Sequence, residues 1–167
     1  VSGTFGIAVR PADVTDVDAL VAIANEVVAE GRWVTREPAG VPFARTDFSH
    51  ERYAGGAMFV ACDGKLVIGL IRITREDDGA YHFGMMVRGS HRRKGYGKAL
   101  LEAAVAWARE RCIDRLFLIV YSHNLAAREL YRQSGFVEIK SLPRHCLRSN
   151  GETWDAVMMV RELTSTQ

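Results

Sequence analysis

The stretch from Tyr81 to Tyr121 limits the fold more than any other part of the chain. It opens with a β-like run, passes through a turn rich in basic residues and glycine, and enters a helical pattern. Ala99, Leu100, Ala103, Ala104 and Trp107 mark one apolar or small face of that helix. A continuous apolar run over 116–121 follows. Strand, long helix and buried strand in that order predict a right-handed parallel crossover, because parallel neighbours need a long connection and strand twist favours one hand. The runs AMFVAC, KLVIGLIRITRE and AYHFGMMV lie before it, separated by Asp63-Gly64 and Asp77-Asp78-Gly79. These are tight-turn residues, so an antiparallel meander leads into the crossover.

The flanks carry further elements. Residues 7–10 read as a first strand, and Thr15 followed three residues later by Asp18 makes a capping-box pattern before a helix bearing Val17, Leu20, Val21, Ala24 and Val28. Residues 31–56 mix Trp33, Pro38, Gly40, Pro42 and Phe43 with charges, and read as loop plus a short helix near 48–53. Such segments shape pocket mouths. A helix over 125–133 ends at Ser134-Gly135, and 137–148 pairs with 153–163 through Ser149-Asn150-Gly151. No repeat, linker or low-complexity tract divides the chain, so residues 1–167 are expected to form a single domain.

Composition narrows the partners. Basic and acidic residues number 22 and 20, for a net charge of +2, too balanced for nucleic acid or an anionic membrane as the main partner. No apolar run reaches the roughly 20 residues of a membrane helix, and the first residues lack signal-peptide regions, so a cytoplasmic location is expected. Cys62, Cys112 and Cys146 are odd in number and far apart, which suggests reduced thiols. His50, His82, His91, His123 and His145 show neither HExxH spacing nor a nearby cysteine pair, so no metal is expected.

The basic turn, Arg92-Arg93-Lys94-Gly95-Tyr96-Gly97, is an R-x-x-G-x-G pattern between strand and helix. The first turn of a helix has unpaired N–H groups and the positive end of its dipole, and glycine permits close approach, so such a turn suits an anion. It is not a Walker loop, since Gly97-Lys98 is followed by Ala99 where Ser or Thr would meet magnesium. It is not a dinucleotide fingerprint either, because Leu100 stands where the third glycine belongs. Taken alone, the turn also reads as a solvated basic loop or a glycine helix cap.

A second constellation resolves the choice. Asn124, Ala127, Leu130, Tyr131, Gly135 and Phe136 form N-x-x-A-x-x-L-Y-x-x-x-G-F after a buried strand. With the glycine turn before it, this resembles the GNAT family of acetyl-CoA-dependent N-acetyltransferases over about residues 5–163. The resemblance implies an α/β (α+β) fold, with a mixed central sheet of about six to seven strands, about four helices, and parallel strands splayed at the coenzyme site. The anion is then the pyrophosphate of coenzyme A. Backbone donors from Arg93 to Lys98 would wrap it, with Gly95, Tyr96 and Gly97 in the turn and Arg92, Arg93, Lys94 and Lys98 adding positive charge. Backbone at Met85, Met86 and Val87 would hold the pantetheine arm as an added strand would. By the same resemblance Asn124 and Ala127 contact the coenzyme, and Tyr131 is the acid near the departing sulfur. Acetyl-CoA is the cosubstrate.

The general base is less plain. Family members that use a carboxylate carry it on the strand before the turn, at the position of Tyr81, and residues 80–87 contain no Asp or Glu. His82 falls on the opposite strand face from Tyr81. Glu30, Glu37 or a water chain remain, and an enzyme drawing on the neutral fraction of its amine is expected. The run GFVEIKSLPRHCLRSNGETWDAVMMVREL resembles the terminal hairpin of GNAT members acting on free amino acids, amino-acid-like herbicides or peptide N-termini. The expected reaction is acetyl transfer to the primary amine of an amino acid or related small molecule. Alternatives are a protein N-terminal acetyltransferase and a non-catalytic acetyl-CoA sensor. A homodimer is compatible with all three.

Overall fold

The computed structural model describes residues 6–163. Its strands are β1 (Ala8–Pro11), β2 (Ala57–Asp63), β3 (Leu66–Arg75), β4 (Tyr81–Val87), β5 (Arg115–Tyr121), β6 (Val137–Leu147) and β7 (Thr153–Glu162). Its helices are α1 (Val17–Ala29), α2 (Tyr96–Glu110) and α3 (Leu125–Gln133). The strands form one seven-stranded sheet in the order β1-β2-β3-β4-β5-β7-β6. All neighbours are antiparallel except β4 and β5, which the α2 crossover joins in parallel.

Alternation along the strands feeds two apolar layers. Val60 of β2 and Leu70 of β3 pack on the α1 side, with Leu20, Ile23 and Ala24. Ala61 and Ile71 point the other way, toward Leu100, Leu101 and Ala104 of α2. Ile71, Ile73, Leu100, Leu116 and Leu118 are almost fully buried. At ~1.5–3 kcal/mol for each large aliphatic side chain removed from water, this layer clamps α2 to the strands it connects.

Two local expectations shift. The cap before α1 lies two residues earlier than the Thr15–Asp18 pattern: Asp13 accepts the Thr15 N–H at 2.7 Å, and Asp16 accepts the Asp13 N–H at 2.9 Å. Asp16 is buried and also receives two 2.7 Å bonds from Arg10, so the cap ties β1 to α1. The helix expected near 48–53 is instead a pair of 3-10 turns, Arg45–Phe48 and His50–Tyr53. Ser49 between them is extended, at φ −65° and ψ 151°, which interrupts the ladder before a helix can propagate.

The parallel pair sets up the site. β4 and β5 are in register only at Tyr81↔Leu116 and His82↔Phe117. Beyond these pairs β4 stays on β3 as far as Val87, and β5 stays on β7 as far as Tyr121. The facing edges therefore diverge, and a diverging edge leaves backbone N–H and C=O groups for something else to pair with. Among the described residues no helix is long and apolar enough to cross a membrane.

Candidate active site

The turn entering α2 lies at the open end of this wedge. Arg93 and Gly95 adopt left-handed φ angles of 60° and 93°. The first helical bond runs from the Ala99 N–H to the Gly95 carbonyl, at 3.0 Å. No backbone N–H from Arg93 to Lys98 finds an acceptor among the described residues. Left-handed residues in such a turn let successive donors converge on an anion.

The basic side chains around this cradle differ. Arg92 makes two 2.6 Å bonds to Glu30 and donates to the Val87 carbonyl at 3.1 Å. Lys94 reaches the Ser90 carbonyl at 3.0 Å, and Lys98 lies 3.9 Å from Glu102. Arg93 is exposed, with no side-chain partner among the described residues. The Tyr96 ring is buried, edge-on to His91 at 5.7 Å, so its share in the turn is backbone.

Between the turn and α3 lies a cavity of about 300 Å³. Of the residues singled out in the sequence, Met85, Met86, Val87, Arg92, Arg93 and Gly95 line it, as do Gly97, Lys98, Asn124, Ala127 and Tyr131. Only Lys94 and Tyr96 of that set stand outside the wall. Gly97 sits where a Cβ would come within 3.2 Å of Leu130 and 3.4 Å of Met85, so any side chain there narrows the cleft. Asn124 caps α3 by accepting the Ala127 N–H at 3.3 Å.

A second cavity, of about 610 Å³, adjoins the first. Trp33, Val34, Met85, Met86, Asn124 and Tyr131 belong to both walls. Tyr131 is only 7% exposed and stands edge-on to Phe83 and Phe136 at 5.8 and 6.1 Å. Its hydroxyl has no hydrogen-bond partner among the described residues, and burial pushes its phenol up to about 12.

The roof of this second chamber is the segment after α1. Buried Arg148 of the terminal hairpin donates to the Val34 and Thr35 carbonyls at 3.2 and 2.8 Å. Thr35 and Tyr121 share a 2.5 Å hydroxyl contact, and the Ser149 N–H donates to Glu37 at 2.8 Å. The sequence marks 31–56 as a pocket mouth, but the roles of Thr35, Arg36, Arg72, Tyr121 and His145 in the wall have no local signature. Arg148 likewise gives no sequence signal for its bonds, whose acceptors lie more than a hundred residues away.

A model of the acetyltransferase (GNAT) family matches residues 25–136. The chain belongs to this family. A 58-residue stretch is 45% identical to an uncharacterized N-acetyltransferase, YycN, of Bacillus subtilis (strain 168), covering 35% of this chain and 36% of that protein. Among solved structures, one provisionally designated a phosphinothricin N-acetyltransferase is 25% identical with a TM-score of 0.82, covering 96% of this chain and 100% of that one. The yncA structure from Salmonella typhimurium, determined with its cofactor acetyl-CoA, shares the fold at TM-score 0.84 and 20% identity, over 95% of each chain.

Within this GNAT domain each side chain weighed as a base already has a partner. Tyr81 packs edge-on against Trp107 at 5.9 Å, and His82 stacks on Phe117 at 5.3 Å; neither lines either of these two cavities. Glu30 is held below the usual carboxylate range by Arg92, and Glu37 by its bonds from Ser149. Glu26 pairs with Arg88, and Asp47 with Arg36. Among the described residues no three His, Cys, Asp or Glu side chains gather as a metal site, and Cys62, Cys112 and Cys146 are free thiols.

Proposed function

We propose that the protein transfers the acetyl group of acetyl-CoA to the primary amine of an amino acid or a related small molecule that carries an anionic group. The observation that carries this reading is the junction at Tyr131. On one side lie unpaired donors and an open strand edge suited to a phosphorylated, amide-bearing arm. On the other lies a chamber whose wall includes Arg36, Arg72 and His145 but no Asp or Glu. A polycationic acceptor such as a polyamine would meet two guanidiniums there, with Asp47, the partner of Arg36, outside the lining. A carboxylate-bearing amine fits its charge.

Acetyl-CoA supplies an activated acyl group. The N–H groups from Arg93 to Lys98 bind pyrophosphate, and Arg93 adds charge from the rim. The free edge of β4 at Met85 to Val87 orients the pantetheine amides, and Asn124 and Ala127 close the opposite wall. Tyr131 acts as a hydrogen-bond donor to the departing sulfur. Full proton transfer from a phenol near 12 to a thiolate of reference pKa ~8.5 would be uphill by roughly 5 kcal/mol, so its O–H stabilises charge as the bond breaks.

The test is release of free thiol from acetyl-CoA across a panel of amino acids, their carboxamides, polyamines, aminoglycosides and short peptides. Turnover of amino acids, with the carboxamides at least tenfold poorer in kcat/KM, is expected. Turnover of peptides alone would replace this reading with N-terminal acetylation. Tight acetyl-CoA binding without turnover would make the domain a sensor.

A further inference from the structure

The wall of the acceptor chamber has a single side chain of the kind that exchanges protons near neutrality, and the backbone is distorted where it is presented. We propose that His145 is the general base that takes a proton from the acceptor's ammonium group; this rests on the acetyl-transfer reading above. His145 lies in an irregularity of β6. Pairing with β7 is regular at Leu142↔Ala156, then shifts before resuming at Cys146↔Trp154. Within the shift Arg144 adopts a left-handed φ of 49°. Its N–H, lost to the ladder, donates to Asp155 Oδ1 at 2.7 Å. A left-handed arginine is a conformation that surrounding structure must hold in place, and bulges re-aim side chains beside active sites. Here the bulge puts His145 in the chamber wall, its ring 6.4 Å from that of Tyr121.

The other groups in reach do not compete. Tyr121 of β5 and Tyr131 of α3 are phenols pushed upward by burial. Arg36 of the roof and Arg72 of β3 are guanidiniums, which stay protonated and cannot accept a proton. Arg144 lies on the imidazole's own strand and Arg148 just past its end, and Asp155 of β7 is engaged by the Arg144 N–H. His145 is also exposed to solvent, which gives its acquired proton a way out.

The step balances as follows. The imidazole lone pair takes one proton from the ammonium, directly or through one water, and passes it to solvent. The freed amine lone pair forms the C–N bond as the C–S bond breaks with its electron pair on sulfur. Nitrogen gives up a second proton and sulfur gains one. One ammonium and one thioester thus become an amide, a thiol and one released proton.

The experiment compares wild type with His145→Gln, using acetyl-CoA, the amine best turned over in the panel, and hydroxylamine, a small nucleophile already neutral near pH 7. For the amine, kcat/KM should fall about 100-fold or more in the variant, within the range for loss of a general base. Hydroxylamine turnover and acetyl-CoA affinity should stay within about threefold. A variant within about twofold of wild type on the amine overturns the base assignment alone. So does an equal loss on amine and hydroxylamine. A wild type that binds acetyl-CoA but acetylates no amine overturns the acetyl-transfer reading, and this one with it. Should the variant not fold, the wild-type pH profile decides: an inflection fixed across two acceptors of different amine pKa supports His145, and one that follows the acceptor overturns it.

Discussion

The two cavities that meet at Tyr131 are built by different means. The side proposed to hold the coenzyme relies on main chain: N–H groups at the start of α2, the free edge of β4, and glycines that keep side chains away. The acceptor side relies on side chains brought together from remote positions, such as Arg148, which is 113 residues from the Thr35 carbonyl it binds. A main-chain site tolerates exchange of its side chains, provided that the backbone conformation survives. A side-chain site can be re-specified by a few substitutions without disturbing the fold.

The largest effect should come from filling the main-chain site. Gly97→Val places a branched side chain against Leu130 and Met85 and into the cleft, so acetyl-CoA binding should fall below calorimetric detection while far-UV circular dichroism stays native. Unchanged affinity would break the comparison at its root. Next, Tyr131→Phe should lower kcat by something like 100-fold with little change in KM for acetyl-CoA, in line with loss of a donor used as the bond breaks. An unaltered kcat in a saturated assay would remove Tyr131 from the chemistry, unless product release limits turnover.

A smaller effect, confined to the acceptor side, is expected from Arg148→Met. It removes the bonds to the Val34 and Thr35 carbonyls, so thermal stability should drop and acceptor KM rise. Acetyl-CoA affinity should hold. Equal weakening of both ligands would show that roof and cleft are not separable. The smallest effect belongs to Arg93→Ala, which removes an exposed charge. It should weaken acetyl-CoA by about fivefold at low salt, on the order of 1 kcal/mol, and leave the truncated donor acetyl-pantetheine unaffected. Equal loss of both donors would point to misfolding instead.

The same division explains what the sequence reveals. The meander, crossover and glycine turn are legible because each is a local period or a fixed spacing, and the coenzyme cleft inherits that legibility. The acceptor chamber is not, because the contacts of Arg148 and of Thr35 with Tyr121 join elements that are neighbours only after folding. The bulge at Arg144 escapes notice because Leu142 and Cys146 read as continuous strand; only the resumed register with β7 exposes the extra residues. Near residue 48, buried Phe48 supplies an apolar anchor that reads as helix, whereas extended Ser49 breaks the turn in two.

The Arg148 tether also orders events during the protein's own making. Every residue lining the cleft proposed for the coenzyme lies between Val27 and Tyr131, whereas the Arg148 bonds to the roof come from the hairpin that follows. Chains emerge from the ribosome N-terminus first, and their parts fold in that order where they can. A nascent chain that has just released α3 holds all the residues lining that cleft but not yet the Arg148 tether. The ties from the hairpin to the roof are therefore the last of the roof's contacts to become available during synthesis.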